Sequence, residues 1–467
     1  MFFGFGAGEK ERRVEEGFDG VAEVDFYRQR PPLDPRIHIL GVGSLGRFMA
    51  HSLRGLPNPP PVTVMFHGRQ TLKKWNESPK TIKLITDGVT EVREGFDAEL
   101  VQLRRRLHGK EIDPVDATTR RELGEGESDE PISSLIICTK SQMVLQALSA
   151  VKHRLHKDSV ILFMQNGMGT VEEVTREIFP DPETRPRYMR AVRTYRTQLH
   201  PADPFTAIYK GDGTMGVALL PHEREGGAAP FSPTPRFSAR DRLPVEARHP
   251  AKPNSAVPSP QDPGFEWMPN DRYLLRTLTR SPVLMATGLS PPDLLQMQLE
   301  RLAISSILGP ISVMLDARHG GMLYNYAISR TMRLLLAEIS LVIRSLPELQ
   351  YIPNVSQRFD PGHLETFVVA VARIRKDEIN SMLEDVRRGR QTEVDYLNGW
   401  IVKKGEELGI QCFMNFMMLN LVKGKANMIQ LEMSEDVPFV SGPKPGEGSL
   451  RIKESVQEEL EEGSLDE

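Results

Sequence analysis

Arg36-Ile-His-Ile-Leu-Gly-Val-Gly-Ser-Leu-Gly-Arg47 is the stretch on which the fold reading turns. A short strand-like run, Ile37–Leu40, passes directly into Gly41-x-Gly43-x-x-Gly46, and a helix-forming segment follows. Each glycine has its own physical task. Gly41 makes a tight turn, Gly43 lets backbone approach a pyrophosphate, and Gly46 lets helix and strand pack closely. The pyrophosphate would rest on the free amides and positive dipole end of a helix beginning near Ser44. The loop Gly41, Val42, Gly43, Ser44, Leu45 and Gly46 therefore reads as a dinucleotide cradle. The blander alternative, a merely tight turn, does not call for the strands found before and after it.

The second strand selects the dinucleotide. Val62–Phe66 is rich in β-branched and aromatic residues, which suit a pleated surface. An NAD enzyme usually carries a carboxylate at the end of this strand, bonded to the ribose hydroxyls. Here the chain reads His67-Gly68-Arg69-Gln70, with Lys73 and Lys74 close behind. Arg69 falls 23 residues past Gly46, about where the 2′-phosphate of NADP would lie. A solvated basic turn is the plain alternative; the placement favours NADPH.

Working outward, the segments at 37–40, 62–66, 81–86, 134–139 and 160–164 alternate with helical stretches. Such alternation implies a parallel sheet with helices on both faces. The segments 205–209 and 214–220 flank Gly211-Asp-Gly213 and read as a hairpin completing the sheet. After Arg272 strands give way to helical periodicity at 297–313, 322–346, 364–387 and 393–408, with Gly409 as a cap. The fold class is thus an α/β Rossmann-type domain with a parallel sheet, followed by an all-α domain. The divisions are a flexible leader at 1–30, the NADP-binding domain at 31–221 with a charged insertion at about 104–130, and a Pro-rich insertion at 222–270. The helical domain follows at 271–430, and an acidic tail closes the chain at 431–467. The Pro-rich insertion has too few large apolar residues to offset its ordering entropy and reads as disordered.

A chain of 467 residues has ample material for two cores. Its net charge of −4 proposes neither a nucleic-acid nor a membrane-surface partner. The two cysteines, Cys138 and Cys412, sit in apolar company, which favours a reducing compartment and offers no metal ligand set. No apolar run approaches the roughly 20 residues that span a bilayer. The amino-terminal residues lack a secretory apolar region and contain early glutamates, so cytosol is the expected location. The apolar segment 322–346 suits a helix interface in a homodimer or the core alike.

In parallel sheets a ligand lies outside the carboxyl ends of the strands. Two more strand ends stand out there: Ile137-Cys-Thr-Lys140, and Met164-Gln-Asn166-Gly-Met-Gly169 with its amide and glycine loop. Lys140 taken alone is an ordinary exposed lysine, but its alignment with Asn166 adds weight to it. In the helical half, Ser381 and Glu393 are 12 residues apart, about 18 Å along one continuous helix. Gly389 interrupts, and Thr392-Glu-Val-Asp395 resembles a capping box. A helix ending near Arg388 and another starting at Thr392 would let Ser381 and Glu393 converge. From physics alone, Glu393 needs no role beyond favouring a helix amino terminus.

The Gly41–Gly46 strand, the Thr139-Lys140 and Gln165-Asn166-Gly-Met-Gly169 loops, and above all Ser381-Met-Leu-Glu-Asp-Val with Thr392-Glu-Val-Asp-Tyr-Leu-Asn-Gly399 resemble ketopantoate reductases. The resemblance covers roughly 36–220 and 272–425. It implies a Rossmann domain followed by a helical domain, and NADPH-dependent reduction of the 2-keto group of ketopantoate to pantoate, used for pantothenate and coenzyme A. By that resemblance Lys140 and Asn166 contact cofactor and substrate, Ser381 holds the substrate carboxylate, and Glu393 bonds the developing hydroxyl and the cofactor.

The family opens the first long helix of its second domain with a lysine and two asparagines. This chain has Glu300-Arg301-Leu-Ala-Ile-Ser305-Ser-Ile-Leu-Gly309-Pro310, placing Arg301 at the general acid and Ser305 and Gly309 at the amides. His319-Gly320 replaces the family's Asn-Gly. Arginine carries charge but is a poor proton donor. The expected partner is a small 2-keto acid. A reductase for another branched 2-keto acid, such as ketoisovalerate, and a non-catalytic NADPH-binding scaffold are the alternatives.

Overall fold

The structure is a computed structural model, and it describes residues 33–101, 124–211, 213–222 and 267–434, with the backbone at 106–107 and 110–111. The leader, most of both insertions and nearly all of the acidic tail lie outside the described residues. In chain order the strands are β1 (Ile37–Leu40), β2 (Val62–Phe66), β3 (Ile82–Thr86), β4 (Val89–Arg93), β5 (Phe96–Leu100), β6 (Arg106–Leu107), β7 (Lys110–Glu111), β8 (Ser134–Ile137), β9 (Val160–Phe163), β10 (Arg187–Arg193), β11 (Thr197–Leu199), β12 (Thr206–Tyr209), β13 (Met215–Leu219) and β14 (Ala286–Gly288).

The main sheet has the order β14-β13-β10-β9-β8-β1-β2-β5. From β10 to β5 every neighbour is parallel, and β13 runs antiparallel to β10. Every residue of β1, β2, β8 and β9 is buried, as a sheet covered on both faces requires. The chain goes from β1 to β2 on one side and returns to β8 on the other, so the order reverses between β1 and β8. That crevice is where an open α/β sheet holds its ligand.

Helices α1 (Ser44–Arg54), α2 (Arg69–Glu77), α3 (Val144–Val151), α4 (Thr170–Glu177) and α5 (Pro269–Thr279) belong to this half. The second sheet, β11-β12-β3-β4, lies against α1. Phe48 of α1 stacks obliquely on Tyr195 and Tyr209, with ring centroids 4.8 and 4.7 Å away. The helical half comprises α6 (Pro291–Leu315), α7 (Tyr326–Arg344), α8 (Val355–Arg358), α9 (Pro361–Ile374), α10 (Ser381–Arg387), α11 (Asn398–Glu407) and α12 (Phe413–Ser434). Its helix starts are capped as their sequences suggest. Ser290 accepts from the Asp293 amide, Asn325 from those of Ala327 and Ile328, and Asp360 from those of Gly362 and His363. Leu299, Leu302, Leu335, Ile339, Leu364 and Ile401 are fully buried in its core.

Five sequence expectations change. The segments 205–209 and 214–220 do not pair with each other as a hairpin: β12 pairs with β11 and β3, and β13 with β10 and β14. The true turn follows β11, and β10–β11 and β12–β13 are the two arms of one ribbon that crosses between the sheets. The register passes from Arg193–Met215 in one sheet to Thr197–Tyr209 in the other. Segment 81–86 forms β3 of the second sheet, where it pairs with β12 and β4. After Arg272 one strand remains: β14 pairs with β13, and Leu274, Leu278 and Leu284 share the core of Ile37 and Val62. The helical segment 364–387 is two helices, because Asn380 caps α10 by accepting from the Met382 amide. Finally, the segment 393–408 starts with a single 3-10 turn at Val394–Tyr396 without a side-chain cap, and α11 begins at Asn398.

Candidate active site

The loop after β1 is shaped for a dinucleotide. Gly41 has φ +99°, and a Cβ there would lie 2.8 Å from the Thr139 amide nitrogen. A Cβ on Gly46 would lie 2.0 Å from the Gly41 carbonyl oxygen, so that contact admits no side chain. A Cβ on Gly43 would meet nothing within 4 Å, which leaves its backbone open to a ligand. Val42 and Leu45 pack toward the core, while Ser44 opens α1 and receives a hydrogen bond from Thr197 Oγ1 at 3.2 Å. Arg69 is exposed as the first residue of α2, just beyond β2. The open backbone at Gly43 suits the pyrophosphate of a nicotinamide dinucleotide, and among the described residues no ion pair involves Arg69.

At the ends of β8 and β9 the two halves of the chain meet. Lys140 forms an ion pair with Asp385 of α10. Glu393 Oε1 accepts from both the Ser141 amide and Ser141 Oγ, each at 2.9 Å. The Met168 amide donates to the Tyr396 carbonyl at 2.9 Å, and a Cβ on Gly167 would be 2.5 Å from Tyr396 Cβ. Gln165 Nε2 donates to the Ile137 and Thr139 carbonyls, fixing the loop that carries half-buried Asn166. Burial raises the Asp385 carboxyl, and the Lys140 ammonium opposes that shift. Residues some 250 positions apart in sequence are thus in direct contact.

Arg301, Ser305 and Gly309 are four residues apart on α6 and so lie along one face. A Cβ on Gly309 would be 3.1 Å from Met382 Cε and 3.6 Å from Asn380 Oδ1, so this face meets the start of α10 and its exposed Ser381. His319 Nδ1 contacts the Glu378 carbonyl at 3.1 Å, which places the proton there. Its Nε2 then accepts from Asn380 Nδ2 at 3.2 Å. Burial lowers the His319 pKa, keeping the ring neutral.

Arg301 is half-buried, and its Nε is closed to solvent without a hydrogen-bond partner. Burial, with Arg375 and Arg193 nearby, brings its pKa down to about 9. It remains a cation at neutral pH, yet holds its proton less tightly than a free guanidinium does. Arg193, the last residue of β10, is likewise half-buried with an orphaned Nε. Among the described residues no group of three His, Cys, Asp or Glu side chains is placed to hold a metal, and no helix is long and apolar enough to cross a membrane.

Of the expected site residues, Lys140 and Glu393 are thus brought to the end of β8, through Asp385 and Ser141; Asn166 follows the neighbouring β9, Ser381 opens α10, which Gly309 of α6 approaches, and Arg69 stands apart beyond β2. Four participants escaped the sequence reading: Ser141, Asp385, Arg193 and Arg375. Asp385 lies one turn from Ser381 on the same helix, a spacing that could have revealed it. Arg193 was hidden because Arg187, Arg190 and Arg193 break up the apolar pattern of a strand that is nonetheless buried.

Comparison with known proteins bears on this arrangement. The family model described as "Ketopantoate reductase PanE/ApbA" matches residues 37–217, and "Ketopantoate reductase PanE/ApbA C terminal" matches 293–426. A probable 2-dehydropantoate 2-reductase of Schizosaccharomyces pombe is 22% identical over 84% of this chain and 97% of its own. A ketoisovalerate reductase of Gibberella fujikuroi is 24% identical over 80% of this chain and 79% of its own. A ternary structure of D-mandelate dehydrogenase with NADH and anilino(oxo)acetate shares the fold at a TM-score of 0.58 and 14% identity, covering 84% of this chain and 99% of that one. With both halves matched in order across the glycine loop and the cleft, the chain belongs to the ketopantoate reductase family.

Proposed function

We propose that this protein reduces 2-dehydropantoate (ketopantoate) to pantoate with NADPH, serving pantothenate and coenzyme A biosynthesis. The observation that carries this reading is the joining of Glu393 and Asp385, from the helical half, to Ser141 and Lys140 at the end of β8. When bound, NADPH supplies the hydride. The chain's own residues supply the rest. Arg301 polarises the carbonyl oxygen and meets the negative charge that grows there. Ser381 donates to the substrate carboxylate, with Ser305 beside it on the facing helix. Glu393, positioned by its two bonds from Ser141, accepts the hydrogen bond of the forming hydroxyl. Lys140 and Asn166 orient cofactor and substrate at the strand ends.

Loss of NADPH absorbance on mixing with ketopantoate tests this, with ketoisovalerate assayed in parallel. Turnover of ketopantoate is the expected result. Selective turnover of ketoisovalerate would favour a second reading, which rests on the changed pocket residues Ser305, Gly309 and His319. Absence of turnover with either, from folded protein that binds NADPH, would refute both.

A further inference from the structure

Two places where this chain departs from the family's pattern converge on one side chain, Asn380. At the first, Gly309, a Cβ would lie 3.6 Å from Asn380 Oδ1. At the second, His319, Nε2 accepts from Asn380 Nδ2 at 3.2 Å. Asn380 is in turn the N-cap of α10, where its Oδ1 accepts from the Met382 amide at 2.9 Å. Between that cap and the amide it holds lies Ser381, the first residue of the helix. The histidine is itself clamped. It is 3% exposed, and its amide and Nδ1 both donate to the Glu378 carbonyl, at 3.3 and 3.1 Å. The next amide, of Gly320, donates to the Lys376 carbonyl at 2.8 Å.

These bonds admit one arrangement of protons. The Glu378 carbonyl only accepts, so the ring proton sits on Nδ1 and Nε2 offers a lone pair. The Asn380 amide must then turn its Nδ2 to the ring and its Oδ1 to the helix. A polar chain thus runs from Glu378 through His319 and Asn380 to the start of α10, each link dictating the next. The second turn of that helix has a separate anchor, since Asp385 is paired with Lys140. Cutting the chain would therefore loosen the end that carries Ser381 and leave the Lys140 end joined.

We propose that His319 is a positioning residue for the substrate, acting through Asn380 to hold Ser381 where its hydroxyl meets the substrate carboxylate. The inference rests on the 2-keto acid reductase reading and on the role given there to Ser381. It carries a pH dependence. A protonated ring would aim a donor at the donors of the Asn380 amide. The amide relieves this by turning over, which takes Oδ1 away from the Met382 amide, so the hold on the substrate weakens as pH falls. Among the charges around the ring, Arg375 disfavours the imidazolium and Glu378 favours it, the latter being shared with Arg196 at 3.1 Å and Lys210 at 3.8 Å. Of the others nearby, Arg318 donates to the Asp377 carbonyl at 3.3 Å, and Asp316 at the end of α6 is paired with Arg387 at 2.9 Å. Arg373 of α9 lines a small cavity with Met322 and Met332. Burial outweighs these and keeps the ring neutral until pH falls below its ordinary 6.5.

The test is steady-state kinetics on ketopantoate, with ketoisovalerate in parallel, between about pH 7.5 and about pH 5, where a histidine changes charge. Asparagine at 319 keeps a donor for the Glu378 carbonyl but does not reach Asn380, whereas glutamine can set an acceptor near the place of Nε2. We expect His319→Asn to raise KM about 10-fold, the worth of a hydrogen bond to a charged group, with kcat changed less than about 3-fold. Asn380→Ala cuts the same chain at its next link and should do the same, which keeps the test open if His319→Asn folds poorly. His319→Gln should recover most of the loss and, having no ring to protonate, should lack the acid rise in KM of the unmutated protein. Melting curves and NADPH titrations accompany each variant, and a loss of NADPH affinity as large as the rise in KM would overturn the proposal in favour of general damage. Unchanged KM in His319→Asn and Asn380→Ala, or a KM in His319→Gln as poor as in His319→Asn, would overturn it and leave the reductase reading standing. An acid rise identical in the unmutated protein and His319→Gln would do so too. No turnover of either substrate by the unmutated protein would remove the reductase reading itself, and this inference with it.

Discussion

Arg69 and Arg301 are two arginines whose positions give them opposite properties. Arg69 is exposed at the start of α2, and among the described residues no ion pair involves it. Replacing it with alanine should raise the NADPH dissociation constant about 10- to 100-fold, the worth of a charge-assisted contact, and leave NADH binding nearly as it was. Fluorescence titration with both cofactors decides this, and equal losses for the two would deny Arg69 the 2′-phosphate. The exposed place of Arg69 just beyond β2 was legible in sequence because the spacing from Gly46 is a local fact. The surroundings of Arg301 were not. Its place on a long helix was readable, but the burial that chiefly lowers its pKa, and the charges of Arg375 and Arg193 from another helix end and a strand, come from tertiary structure alone.

Among the elements, β1 and α1 each bury a histidine. His38 is 1% exposed and His51 3% exposed. Burial, reinforced by Arg154 and Arg36 near His38 and by Arg93 near His51, lowers both to about 4 from an ordinary 6.5. The unfolded chain therefore binds protons more readily than the native one between pH 6.5 and 4. The stability these neutral rings allow is fully present above pH 6.5 and is lost as pH falls toward 4, on the order of 3 kcal/mol for each ring. Urea midpoints should fall steadily from pH 7 to 5, and His38→Gln, which never titrates, should flatten that slope by about half. A slope unchanged in this variant would mean that the native fold admits the protonated ring. Of these elements β1, β2 and β9 could be read directly, because strands covered on both faces are predominantly apolar, His38 and Thr63 being the polar residues among them. By contrast β10 carries three arginines and was passed over, since their partners, Asp271 for Arg187 and the Gly167 carbonyl for Arg190, come from distant sequence. Likewise Gly211-Asp-Gly213 has turn composition, but only the strand pairing across two sheets shows that the strands on either side of it are not partners.

For the whole molecule, the decisive contacts are those that tie the helical half to the sheet. Single residues on each side were visible beforehand, Lys140 as a strand end and Glu393 as a carboxylate opening a helical segment. Their pairing was not visible, because nothing local relates position 140 to 385 or 141 to 393. The Lys140–Asp385 bridge joins a lysine with 41% side-chain exposure to a carboxylate with 8%, so solvent screens one partner more than the other. Lys140→Met should destabilise the protein by about 1–2 kcal/mol, chiefly by leaving a buried carboxylate unpaired. Asp385→Asn in that background should recover much of the loss, giving a coupling of about 0.5–1.5 kcal/mol in a double-mutant cycle of urea melts. Strictly additive losses would mean that the bridge does not hold the halves together. The same cycle run with saturating NADPH should show weaker coupling, because Lys140 is proposed to turn part of its charge to the bound ligand. Coupling that is unchanged by NADPH would confine Lys140 to an architectural role at the junction and remove it from the binding site.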